Sequence, residues 1–190
     1  MPFELLVLAL LVEAPASPPP DVVERIVAVV DDRPVLLSEA RLVARLKGLD
    51  LDPAVDAVVE EILMYREASR LPQATVSAPE EEKAVRRLEE QAPDAPALDL
   101  KRLAKRQVTI LNYIEFRFRP EVRVTDDDVA RAYRQRFPGP AKGPSYEEAA
   151  PQLRAELAER SLSQRIEAWV KDLRSAAQIR YNRPPGTTVE

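Results

Sequence analysis

The chain has 190 residues, of which 45% are hydrophobic and 32% are charged, and its formal net charge at pH 7 is -4. This composition is typical of a folded helical domain with tails and argues against a wholly disordered chain. The absence of His and Cys from the sequence argues against His-based and thiol-based catalysis and against the usual transition-metal sites, and we expect no cofactor.

The N-terminus has the features of an export signal. Residues 5–12 form an apolar run too short to span a bilayer, and Ala14-Pro15-Ala16 has the small residues that signal peptidase requires. We interpret residues 1–16 as a cleavable signal peptide and residues 17–21 as a stiff proline-rich spacer. Because Glu4 stands where a basic residue is expected, an apolar extension or a misplaced start codon is the alternative. Without residues 1–16 the net charge is about -2, which indicates neither nucleic acid nor an anionic membrane surface as a partner.

The first structural unit is a strand pair followed by a helix. Ile26–Val30 is β-branched and apolar, Asp31–Pro34 is typical of a turn, and Val35–Leu37 is a second apolar run. Ser38 is predicted to cap a helix that ends at Gly48.

The rest of the chain is predicted to be mainly helical. Helices are expected from Asp52 to about Leu71, from Ser77 to Pro93, over Asp99–Phe118, from Thr125 to Phe137 and from Ser145 to about Ser175. In the Asp99–Phe118 helix, Ile110 and Leu111 are expected on the core face, and Pro151 is expected to kink or delay the last helix. A closing strand near Ile179–Tyr181 is expected to complete a small antiparallel sheet, and residues 183–190 form a polar tail.

Four segments resemble, in the same order, the N-terminal chaperone domain of the SurA family. They are VVDDRPVLLSE at Val29–Glu39, YIEFRFRPEVRVTDDDV at Tyr113–Val129, YEEAAPQLR at Tyr146–Arg154 and WVKDLRSAAQIRY at Trp169–Tyr181. The resemblance covers residues 22–182. It implies a periplasmic location, a SurA N-domain-like fold and a role in escorting unfolded outer-membrane polypeptides.

In that family, parvulin-type prolyl isomerase domains are inserted before the closing helix. Here the corresponding interval is the loop PGPAKGP, residues 138–144, whereas such a domain needs roughly a hundred residues. The family's active site also uses histidines, which this chain lacks. We therefore predict the chaperone function without the enzyme.

Several apolar side chains fall away from the core faces of their predicted helices. Phe116 lies opposite the core face of its helix, and the two halves of the closing helix have apolar faces that point in different directions. The half with Trp169 is expected to pack into the core. Either these helices are sandwiched between two layers, or the side chains line a cradle for clients. The candidate client-binding residues are Met64, Tyr113, Phe116, Leu153 and Leu157.

Two charged runs have simpler interpretations. Asp126–Asp128 is expected to compensate a helix dipole rather than to bind a cation. The basic residues within 101–106 are expected on a solvated helix face rather than at a phosphate site.

The predicted function is that of an ATP-independent holdase for unfolded exported polypeptides, with no nucleic acid partner and no stable membrane insertion. A prolyl isomerase and a module that binds one fixed partner remain the alternatives. The sequence leaves the client and the oligomeric state open.

Overall fold

The computed structural model of the protein describes residues 24–139 and 143–182. The predicted signal peptide (1–16), the spacer (17–21) and the polar tail (183–190) lie outside the described residues, as do residues 140–142 of the predicted loop.

The predicted fold class, mainly α with a small antiparallel sheet, is confirmed. The elements in chain order are β1 (Ile26–Val30), β2 (Arg33–Leu36), α1 (Leu37–Lys47), α2 (Leu51–Ala68), α3 (Ala78–Gln91), α4 (Ala97–Arg117), α5 (Asp126–Arg136), α6 (Tyr146–Ala176) and β3 (Ile179–Tyr181). Short 3-10 turns lie at Pro72–Ala74 and Arg119–Glu121. Residues 137–145 connect α5 to α6.

The sheet has the order β2-β1-β3, and both pairings are antiparallel. The closing strand therefore pairs with β1, as predicted. β2 begins at Arg33, two residues before the predicted strand, so the tight turn consists of Asp31 and Asp32 alone. Pro34 is tolerated within β2 because it occupies a position on the outer edge of the sheet, where a missing N–H breaks no ladder bond.

The start of α1 differs from the prediction. The helix begins at Leu37, and Ser38 does not cap it. Instead, the backbone N–H of Ser38 donates to Glu24 Oε1 at 3.2 Å, and the Ser38 hydroxyl donates to the other oxygen of that carboxylate. These bonds, led by that of the hydroxyl, lower the pKa of Glu24. β2 runs directly into α1, so a side chain distant in sequence provides the cap. Gly48 ends the helix in the left-handed region (φ 63°), as predicted.

The other helix starts follow local capping chemistry. Helices begin directly after Ser77, Thr125 and Ser145, as predicted, and each of these residues forms a capping box. α2 begins at Leu51 rather than after Asp52, and α6 continues through Pro151 without delay.

The buried apolar residues form two clusters. The larger one joins the sheet to α1, α2, α3 and the first half of α4, and Leu173 and Ile179 near the C-terminus pack against it. The smaller one joins α5 to the first half of α6 around Val129, Ala149 and Leu153. The C-terminal half of α6 thus packs against the N-terminal core, as predicted, while its first half carries α5.

A buried ion-pair network crosses the larger cluster. The side chain of Arg106 on α4 is only 5% exposed and lies 3.2 Å from the carboxylate of Glu61 on α2, which is equally buried. Arg106 also binds Glu39 on α1, and Lys47 Nζ lies 2.9 Å from Glu61. The prediction of a solvated face is therefore wrong for Arg106. The network fixes three helices relative to one another.

We expect Arg106→Met to lower the free energy of unfolding by about 3–5 kcal/mol, because it leaves the buried carboxylate of Glu61 without its buried partner and with only the half-exposed Lys47 beside it. The double variant Arg106→Met with Glu61→Leu should recover much of this loss, since both charges are then absent. Urea denaturation measures both values. Arg102→Met, at a position whose side chain is 71% exposed, is the matched control and should change stability by less than about 0.5 kcal/mol. A loss below about 1 kcal/mol for Arg106→Met would contradict the proposed importance of the network.

Asp31 ties the first hairpin to the end of α6. Its backbone adopts φ 54°, its N–H donates to Gln178 O at 2.7 Å, and its Oδ1 accepts from the Gln178 N–H at 2.8 Å. Its other oxygen pairs with Arg66 on α2. Two hydrogen bonds lower the pKa of Asp31: the one from the Gln178 N–H has the larger effect, and the one from Arg66 has the smaller.

We expect Asp31→Asn to lower the melting temperature at pH 7 and to have a diminishing effect as the pH falls. Because the pKa of Asp31 is lower in the folded than in the unfolded state, its charge stabilises the fold at pH values above the unfolded pKa of about 4. This stabilisation is lost as the pH falls through the folded-state pKa. Asn tolerates positive φ, so the substitution mainly removes charge. Thermal melts between pH 7 and 3, with Asp32→Asn as the control, measure the effect. A difference independent of pH would show that the charge of Asp31 is unimportant.

Candidate functional site

The second half of α4 leaves the hydrophobic core. Ile110, at 7% exposure, is the last buried residue of the helix. In the next eight residues Leu111 is 54% exposed and Phe116 is 51% exposed, while Tyr113, Ile114 and Phe118 are half-buried. The prediction that Leu111 lies on the core face is wrong, because the side chain points to solvent while the adjacent Ile110 is buried. We call residues 111–118 the apolar end of α4.

Three aromatic rings join the apolar end of α4 to α6. Tyr113 stacks on Trp169 with 4.9 Å between ring centroids and an interplanar angle of 17°. Phe118 approaches Trp169 at 5.3 Å and Tyr113 at 5.9 Å. All three rings are half-buried, so each retains exposed aromatic surface. Trp169, expected in the core, instead holds α6 against the end of α4.

Ion pairs on the surface hold the same junction. In the turn after α4, Arg119 Nη1 donates to Glu159 of α6 at 3.0 Å, and Glu121 accepts from Arg165 of α6 at 2.8 Å. These side chains are about 40–60% exposed, so we assign them a role in orientation rather than a large stabilisation. They keep α6 close to the apolar end of α4.

Met64 lies on α2 and is half-buried. Burial is the main cause that raises the pKa of Tyr113, and the charge of Glu67 on α2 contributes less. Of the predicted client-binding residues, Tyr113 and Phe116 thus share the apolar end of α4, and Met64 belongs to a different helix.

The structure places Leu153 and Leu157 apart from this region. Leu153 is 3% exposed and packs with Val129 of α5 in the smaller cluster. The sequence allowed either packing between layers of the protein or a place in a cradle for clients, and Leu153 is in the first of these situations. Leu157 is half-buried at the edge of that cluster and lines two shallow grooves between α5 and α6.

The acidic run has the geometry of a helix start. Asp128 completes the capping box of Thr125. The hydroxyl of Thr125 has the largest effect in lowering the pKa of Asp128, and the backbone N–H of Thr125 has the next largest. Asp126 pairs with Arg154 of α6. Across residues 24–139 and 143–182, no group of three or more carboxylates is arranged to hold a metal ion.

The buried ion pair was missed although the sequence contained a signal for it. At about 100° per residue, Arg106 lies about 40° from Ile110 and 60° from Leu103 on the helical wheel, and Glu61 lies about 60° from Val58. Opposite charges on two core faces indicate a buried pair. The exposure of Leu111 had no such signal, because it depends on which faces of α4 the other elements cover.

The chain matches no known protein-family model and no curated protein. Within the part of the chain that the structure describes, no helix has the length and apolar character needed to cross a bilayer.

Proposed function

We propose that the protein is an ATP-independent holdase that binds unfolded exported polypeptides in the periplasm. The observation that carries the proposal is the apolar end of α4, where five apolar side chains in eight residues remain at least partly exposed after folding. Apolar side chains gathered at the surface are a feature of sites that bind other polypeptides.

The residue types suit contacts with many different sequences. Aromatic rings offer large apolar faces, and the flexible thioether of Met64 adapts to different partners. Three or four partly exposed anchors, each worth roughly 1.5–3 kcal/mol when fully buried, give a dissociation constant of about micromolar after the cost of ordering the client. Such an affinity allows release of the client without ATP.

The periplasmic location and the class of client are supported by the resemblance of four segments to the SurA N-terminal domain and by the signal-like residues 1–16. The same resemblance raises a prolyl isomerase as the competing function. A module that binds one fixed partner would use the same apolar surface and is the second competitor.

Two assays separate these functions. We expect the purified protein to suppress the aggregation, measured by light scattering, of two unrelated outer-membrane polypeptides diluted from urea. We also expect it to leave the isomerisation rate of a proline-containing tetrapeptide at background. Acceleration of that reaction would favour the isomerase, and suppression limited to a single client would favour the fixed-partner module.

The paired variant Phe116→Ala with Met64→Ala tests the location of the site. We expect about tenfold weaker client binding with a nearly unchanged melting temperature, because Phe116 is exposed and Met64 is not fully buried. Quenching of Trp169, the only tryptophan of the chain, by a tryptophan-free client measures the affinity.

Leu98→Ala is the matched control, since Leu98 is 58% exposed at the opposite end of the same helix. It should leave client binding unchanged. A large fall in melting temperature for the paired variant would show that these residues stabilise the fold, and equal weakening by Leu98→Ala would show that binding is not localised at the apolar end of α4.

A further inference from the structure

The two edges of the sheet differ in what they offer to an added strand. β2 and β3 are the outer strands on either side of β1. Pro34 occupies the outward position in the middle of β2 and has no N–H, so this edge is a poor template for further pairing. β3 contains no proline.

The register identifies the free groups of β3. Val29 pairs with Arg180, the Asp31 N–H donates to Gln178 O, and the Asn182 N–H donates to Val27 O. Residues hydrogen-bonded to β1 alternate with residues that face away, so the N–H and C=O groups of Ile179 and Tyr181 point outward. These four groups have no partner within residues 24–139 and 143–182. They form a short edge to which an extended chain can add.

The side chains of β3 are divided between the two faces of the sheet. Ile179 packs against the larger core cluster, and the Tyr181 hydroxyl binds Asp56 of α2. Arg180, between them, points to the opposite face and is exposed. The backbone of β3 is therefore held in place from the core side, while Arg180 has an exposed side chain on the opposite face.

A second copy of the chain is a poor occupant of this edge. The self-pairing that uses all four outward groups is centred on Arg180 and places the two arginines in a non-hydrogen-bonded pair, where side chains approach most closely. Like charges directly opposite each other destabilise such a pair. A strand with a carboxylate at that position has complementary charge and the same main-chain bonds.

We propose that the outer edge of β3 binds an extended segment of an unfolded polypeptide by β-strand addition, with an acidic residue of that segment opposite Arg180. Main-chain bonds supply affinity that depends little on sequence, and Arg180 supplies a preference for acidic segments. This inference takes its ligand, an unfolded polypeptide, from the proposed function, but it uses a surface other than the apolar end of α4.

The test uses the full-length protein and labelled nine-residue peptides of alternating Thr and Val with a central Glu or a central Lys. By fluorescence anisotropy, the Glu peptide should bind roughly two- to fivefold more tightly than the Lys peptide, which is the range expected for one cross-strand charge pair. Arg180→Glu should reverse the preference without changing the melting temperature. Arg41→Glu makes the same charge change at an exposed position on α1 and should leave the preference for the Glu peptide unchanged.

A third peptide tests the main-chain bonds. N-methylation of alternate residues along one edge of the Glu peptide removes its N–H donors but retains its side chains, and binding should fall by at least about tenfold. Equal binding of the methylated peptide, or an unchanged preference in Arg180→Glu, would overturn the proposal. A dimer of the unmodified protein that excludes the peptide would also overturn it, because the edge would then be occupied by a second copy.

The outcomes separate this inference from the proposed function. If peptide binding fails but suppression of aggregation persists and responds to Phe116→Ala with Met64→Ala, the holdase proposal stands and the edge proposal is wrong. If the peptide binds as expected but aggregation is not suppressed, the edge is a peptide-binding site and the holdase proposal is wrong.

Discussion

The position of α4 depends on the buried network centred on Arg106. The guanidinium binds Glu61 of α2 and Glu39 of α1 in the interior of the larger cluster. A buried charge requires its partners in place, so the network restricts the rotation and sliding of α4 against both helices. Apolar packing alone tolerates such shifts more readily. Because Arg106 lies one turn before Ile110, the network also sets the point at which α4 leaves the core.

A second group of contacts fixes the C-terminal end of α6. Arg174 donates to Glu60 and Asp56 of α2 at 3.1 and 3.2 Å, and to the Tyr181 hydroxyl at 3.0 Å. α6 has 31 residues and so spans about 46 Å at 1.5 Å per residue. Its C-terminal end is held by α2 and the sheet. Trp169, about two turns before that end, contacts the apolar end of α4. The first half of α6 carries α5. The long helix thus connects the two hydrophobic clusters, with the apolar end of α4 at the junction.

The sequence was sufficient for the features that depend on local chemistry. The helix starts at Ser77, Thr125 and Ser145 and the stop at Gly48 were predicted because each depends on residues within a few positions of one another. The pairing of β3 with β1 followed from the family resemblance and the apolar pattern. Side-chain hydrogen bonds between distant segments were not predicted: Glu24 replaces Ser38 as the cap of α1 because the chain before β1 lies beside it. The candidate site was predicted in part. Phe116 was correctly placed off the core face, whereas Leu153 is enclosed by α5, an arrangement that the periodicity of α6 alone does not determine.

The charges beside the apolar end of α4 are arranged in ion pairs. Glu115 pairs with Arg119, and Arg117 pairs with Glu121, so the local charges are balanced and attract neither acidic nor basic polypeptides over a distance. Charged groups among apolar ones also reduce contiguous apolar surface and hence self-association. If the apolar end of α4 binds clients as proposed, it selects for their exposed apolar residues and not for their charge. Recognition of a client's charge would then need another surface. The exposed Arg180 on the outer edge of β3 is placed to contact an acidic residue of a client strand.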